Sequence, residues 1–128
     1  MAKFLVEANY LSEGIKGLLK EGGSGRRAAV DELFHSLGGT VESFYYAFGA
    51  RDVIIIGELP DNATAAALAV RVNAAGVTTI KTTVLLTAQE IDAAVKKTST
   101  YRPPGHDLAP EEAKWEGEGG QVAQDAPP

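Results

Sequence analysis

Four consecutive β-branched residues, Val53-Ile54-Ile55-Ile56, place large apolar side chains on both faces of any strand they form. Such a strand departs from the apolar-in, polar-out alternation of a sheet with one solvated side, and a second covering layer is expected. The neighbouring β-rich runs share this signature. Along 3–10, Phe4, Val6, Ala8 and Tyr10 alternate with Lys3, Leu5, Glu7 and Asn9. Along 40–48, Glu42, Phe44, Tyr46 and Phe48 oppose Val41, Ser43, Tyr45 and Ala47, and Gly49-Ala50-Arg51 closes a hairpin to the strand at 52–59. A fourth run, 77–87, sets Leu85 against Val84 and Leu86.

Helical spacing fills the gaps between these runs. Ser12 is placed to cap a helix carrying Ile15, Leu18 and Leu19, which Gly22-Gly23-Ser24-Gly25 interrupts. Val30, Leu33, Phe34 and Leu37 resume the pattern until Gly38-Gly39 stops it. Asp61 is a natural N-cap for an alanine-rich helix ending near Ala75, with Gly76 as its stop. Thr87-Ala88-Gln89-Glu90 has the form of a capping box and opens a last helix with Ile91, Ala94 and Val95 on one side. The order predicts an α+β fold, a ferredoxin-like β-α-β-β-α-β unit with a C-terminal helix. Two helices cover one face of its sheet, and an exposed apolar patch on the other would be unusual for a monomer. A second subunit is therefore expected there, the two sheets meeting as a dimeric α/β barrel, as a homodimer or within a larger homo-oligomer.

The chain has 128 residues, enough for one ordinary domain. It contains no cysteine, which removes disulfides, thiolate nucleophiles and cysteine-bearing zinc sites and makes the cytoplasm the expected compartment. No apolar run approaches the roughly 18 residues of a membrane span, and residues 1–10 lack the order of a signal peptide. The net charge is −5, but −4 of it falls in 99–128, a Pro/Gly/Glu-rich acidic stretch read as a tail mobile in isolation, with Trp115 alone inside it. Residues 1–98 form the expected domain and are almost neutral. They show no basic face with interleaved aromatics, so nucleic acid is not an expected partner.

Three segments carry a family resemblance: Gly17-Leu18-Leu19-Lys20-Glu21-Gly22-Gly23-Ser24-Gly25-Arg26-Arg27, Phe44-Tyr45-Tyr46-Ala47-Phe48-Gly49, and Lys81-Thr82-Thr83-Val84-Leu85-Leu86-Thr87. Together they resemble the GYD domain family of small bacterial proteins, over about Lys3 to Gly105. The resemblance implies a dimeric α/β barrel and a family of uncharacterised function. Gly49-Ala50-Arg51-Asp52 stands where it leads one to expect Gly-Tyr-Asp, without the tyrosine.

Several residues are candidates for chemistry. Ser24, Arg26 and Arg27 follow a glycine cluster that could cradle an anion, or they mark a solvated break between helices. Lys81 should lie near Glu7 and Glu58, either as an interfacial ion pair setting subunit register or as a pocket-lining pair. Tyr10, Tyr45 and Tyr46 suit a planar ligand or ordinary strand packing. His35 offers a base of near-neutral pKa, and only His106 could join it, too little for a histidine metal site; no motif calls for a metal or cofactor. No hydrolase motif is present. Three functions follow: a binder of a small molecule in an aromatic-lined pocket, a cofactor-independent monooxygenase or isomerase by analogy of fold alone, or a structural protein whose acidic tail contacts partners. A pocket of roughly 300 Å³ joining Tyr45 or Tyr46 to His35 or Lys81 is expected of the first two.

Overall fold

A computed structural model describes residues 1–105; His106, Trp115 and the rest of 106–128 lie outside the described residues. The elements run β1 (Ala2–Tyr10), α1 (Ser12–Ser36), β2 (Thr40–Tyr46), β3 (Val53–Leu59), α2 (Asn62–Ala75), β4 (Thr78–Leu85) and α3 (Ala88–Val95). The four strands form one sheet in the order β2-β3-β1-β4, and every neighbouring pair is antiparallel. This is the expected ferredoxin-like order, in which β3 lies between the parallel strands β1 and β2 that α1 connects. Residues Met1–Ala88 form one compact unit, and α3 belongs to the next. Ile91 and Val95 of α3 are exposed.

Alternation on β1 and β3 holds as read. Phe4, Val6 and Ala8 are buried with Val53, Ile55 and Leu59, and Phe34 of α1 with Ala65 and Leu68 of α2 completes this core on the helix-covered face. Gly57 occupies the core-facing position of β3 beneath the Phe34 ring: a Cβ there would lie 2.6 Å from a ring carbon and 2.9 Å from the Thr40 carbonyl oxygen. The ring can therefore approach the strand only over a glycine.

On β2 the alternation departs from the sequence reading. A bulge between Val41 and Ser43 shifts the register, so that Val41 joins Phe44 against the core while Glu42 lies on the other face. There it meets Lys3 at 2.5 Å, with Glu58 4.0 Å from the same ammonium. A bulge inserts one unpaired residue, and because the strand period is two it reverses the facing of everything upstream. The hairpin is also longer than expected, β2 ending at Tyr46 and β3 starting at Val53.

Ser12 does not cap α1. The capping position is Leu11, which makes no side-chain cap bond, and the Leu11 N–H is instead satisfied by the Val77 carbonyl at 2.9 Å. The glycine interruption is one residue wide: Gly22 alone leaves helical geometry, at φ 78° and ψ 169°, a conformation open to glycine, and α1 kinks there. Ile15 and Leu19, before the kink, are exposed rather than packed.

Asp61 caps α2 as read, its Oδ1 accepting from the Thr64 N–H at 2.8 Å and the Thr64 hydroxyl at 2.7 Å, and Gly76 closes it in the left-handed conformation. Those hydrogen bonds hold the Asp61 carboxyl below its ordinary 3.8. A depressed folded pKa supplies stability above the unfolded value that is lost as pH falls through the folded one. The stability advantage of the unsubstituted chain over Asp61→Asn should therefore shrink on acidification from neutral pH to about pH 2, as read by urea midpoints.

Thr82 faces the core beside Val6, and among the described residues its buried hydroxyl has no hydrogen-bond partner. Thr82→Val replaces that orphan with a methyl of similar shape. We expect a gain of about 1 kcal/mol, measured by denaturant unfolding.

Candidate functional site

The space between the sheet and the two helices is not completely filled. A cavity of about 90 Å³ is walled by Val6, Ala8, Val53 and Ile55 from the sheet and by Val30, Leu33, Phe34, Leu68 and Val72 from the helices. Phe44 and Ile80 close its sides, and its polar groups come from Tyr10, Arg26 and Thr78. An apolar chamber with a few convergent polar groups is the usual composition of a ligand site.

The fold brings these polar groups together from distant parts of the chain. Tyr10 ends β1 on the core-facing alternation, and Arg26 lies one helical turn beyond the Gly22 kink. Glu21, on the near side of the kink, accepts from Arg26 Nη1 at 3.2 Å. Burial disfavours charge on the guanidinium, but the hydrogen bond and charge of Glu21, with the Tyr10 phenol beside it, outweigh burial and hold its pKa above the ordinary value. Tyr46, from β2, donates its hydroxyl to the Gly23 carbonyl at 2.9 Å, tying the kink to the sheet. Burial pushes the Tyr46 pKa up, Tyr10 adds to the rise and Arg26 opposes it, so the phenol keeps its proton at neutral pH.

An aromatic ladder continues outward from the site. Phe44 meets Tyr46 edge-on at 5.2 Å, and Tyr46 stacks on Phe48 at 5.9 Å with the rings 4° from parallel. Phe48 is half-exposed and adopts φ 52°, rare for a non-glycine residue. Arg27 lies over the Phe44 ring at 5.7 Å. Ser24 and Arg27 line a separate open groove with Tyr45 and Tyr46, so the three anion candidates are divided, with Arg26 alone reaching the cavity.

The remaining sequence candidates stand apart. Tyr45 is 70% exposed, and its cross-strand partner Ile54 belongs to the open face. Lys81 lies directly opposite Glu7, as alternation predicts, but Glu7 is paired with Arg51 at 3.7 Å. Among the described residues Lys81 has no carboxylate within 4 Å; Glu58 pairs in register with Lys3 instead. His35 is exposed and lines a groove with Asp31, Glu32 and Thr40, away from the Tyr10 and Arg26 cavity. Among the described residues, then, Tyr45 and Tyr46 line one groove and His35 another, while Lys81 lies with Glu7 on the other face of the sheet, so the expected joint pocket is not seen. Among the described residues no group of three histidine or acidic side chains could hold a metal ion, and no helix is long and apolar enough to cross a membrane.

Asp52 carries a structural role that the sequence reading missed. Its carboxylate accepts from the Tyr10 N–H at 2.8 Å, while its own N–H donates to the Ala8 carbonyl and to Asn9 Oδ1, each at 3.0 Å. The aspartate of Gly49-Ala50-Arg51-Asp52 therefore pins the hairpin loop to the end of β1 and fixes the backbone that presents Tyr10. An aspartate after a glycine in a hairpin was the available signal.

No curated protein and no solved structure matches the chain. The family model of the GYD domain matches residues 4–95, from β1 through α3, which takes in every residue of the cavity and Asp52, and the chain belongs to the GYD domain family.

Proposed function

We propose that the chain is a cytoplasmic homodimer that binds a small molecule in the chamber between its sheet and helices. The observation that carries the binding role is the guanidinium of Arg26, with Tyr10 beside it, at the edge of an otherwise apolar cavity. Arg26 is only partly buried and is held ionised by Glu21, so it sets a cation at the rim of the apolar walls, where an anionic or polar group can meet it. The volume, about 90 Å³, is below the roughly 300 Å³ of common ligand pockets, which restricts the occupant to a few heavy atoms. Dimerisation is supported by the open face of the sheet. Leu5, Ile54, Ile56 and Leu85 lie there together by register, and neither α1 nor α2 covers them. Lys81, with no carboxylate within 4 Å among the described residues, would pair across that interface and set its register.

The reading as a structural protein has its own support in the small cavity and the separation of His35 and Lys81 from Tyr46. Native mass spectrometry of protein purified from its own host distinguishes the two. A two-chain mass retaining a small ligand is the expected result. A ligand-free assembly would favour the structural role, and a monomer at micromolar concentration would refute the dimer.

A further inference from the structure

We propose that Arg26 makes the cavity a monocarboxylate site, which takes a short-chain acid with its hydrocarbon end among the apolar walls and its carboxylate on the guanidinium. The inference rests on the cavity being a ligand site, as proposed above, and adds the chemistry of the occupant.

The size of the cavity sets the tail. A cavity of roughly 150 Å³ admits benzene, so the 90 Å³ available here fits an apolar body of about four carbons. Charge sets the head. A guanidinium has five N–H donors in a planar fork, and the ion pair with Glu21 is a single contact through Nη1 at 3.2 Å. Glu21 is itself half-exposed, so it can turn to solvent when an anion takes its place on the fork, which keeps one negative charge on the guanidinium. No other carboxylate lies within 4 Å of Arg26 among the described residues. One guanidinium neutralises one negative charge, and the planar two-oxygen geometry of a carboxylate matches it. A phosphate dianion would bring a second charge into an apolar chamber with nothing to pair it, and an amine would meet like charge. Tyr10 and Thr78 supply the remaining hydroxyls at the polar end.

The test uses the full chain, isotopically labelled, and follows methyl resonances of Val6, Val30 and Ile55 by NMR. Xenon reads the cavity without regard to a head group. Butyrate reads both cavity and charge, and butanamide has the same shape without the charge. Xenon should shift the three methyls, butyrate should shift them at least tenfold more tightly than butanamide, and Arg26→Leu should lose the butyrate response while keeping that of xenon. Entry of xenon with butyrate no tighter than butanamide, or with butyrate unaffected in Arg26→Leu, overturns the carboxylate assignment and leaves the cavity standing. Exclusion of xenon and butyrate alike overturns both. Should Arg26→Leu fail to fold, the comparison of butyrate with butanamide on the unsubstituted chain decides the matter alone.

Discussion

Phe34→Ala is expected to lower the free energy of unfolding by about 3 to 5 kcal/mol. Phe34 is 1% exposed and supplies the largest side chain that α1 gives to the core, filling the space over Gly57 between Phe4, Ile55 and Leu68. Small domains have only about 5 to 15 kcal/mol in total, so the variant should unfold at much lower denaturant or be only partly folded at 37 °C. Gly57→Ala approaches the same contact from the other side. Its Cβ would sit 2.6 Å from the ring, and relieving that overlap should cost about 1 to 3 kcal/mol. The two changes should not be additive, because removing the ring removes the clash. In the Phe34→Ala background Gly57→Ala should cost less, though not nothing, since the Thr40 carbonyl remains 2.9 Å from the new carbon. Urea denaturation of the four-member cycle measures this. Full additivity would mean that the ring yields elsewhere and that Gly57 is not its seat.

Ile56→Glu should convert the proposed dimer to monomer, with association weakened by at least about a hundredfold. Ile56 pairs with Leu5 on β1 and with Ser43 on β2, at the centre of the open face. Burying an isoleucine side chain contributes about 1.5 to 3 kcal/mol, and an isologous interface contains each residue twice, so one substitution removes two such contacts. It also buries two carboxylates among apolar groups already close to Glu7, Glu42 and Glu58. The side chain projects away from the helix-covered core, so the monomer should keep its fold and its circular dichroism. Sedimentation velocity reads the result. An unchanged sedimentation coefficient would mean that the open face is not the dimer surface.

Binary pattern made most of this fold legible. The β-branched run at Val53 to Ile56, the alternation on β1, and the Asp61 and Gly76 boundaries of α2 are local properties, and the structure reproduces them. The placement of Lys81 opposite Glu7 across β1 and β4 was legible for the same reason, since facing depends only on counting by two. The bulge at Val41 and Ser43 was not, because an extra unpaired residue leaves no mark in composition, and it moved Glu42 to the side where Lys3 awaits it. Ile15 and Leu19 follow helical spacing yet remain exposed, because periodicity reports a stripe and not whether anything covers it.

The candidate site divides along the same line. Tyr10, Tyr46 and Arg26 could each be named from residue type, but so could Tyr45, His35 and Lys81, and nothing local separates the two groups. What separates them is long-range: the Gly22 kink turns Arg26 toward the cavity, Tyr46 reaches back across 23 residues to hold Gly23, and Asp52 fixes the strand end that carries Tyr10. By itself the sequence determined the order of the elements, the ferredoxin-like class and the apolar character of both sheet faces, because these follow from periodicity and end signals carried by neighbouring residues. Only the tertiary structure decided which charged and aromatic groups meet, because that depends on register, a bulge and a kink, each of which sums contacts between residues far apart in the chain.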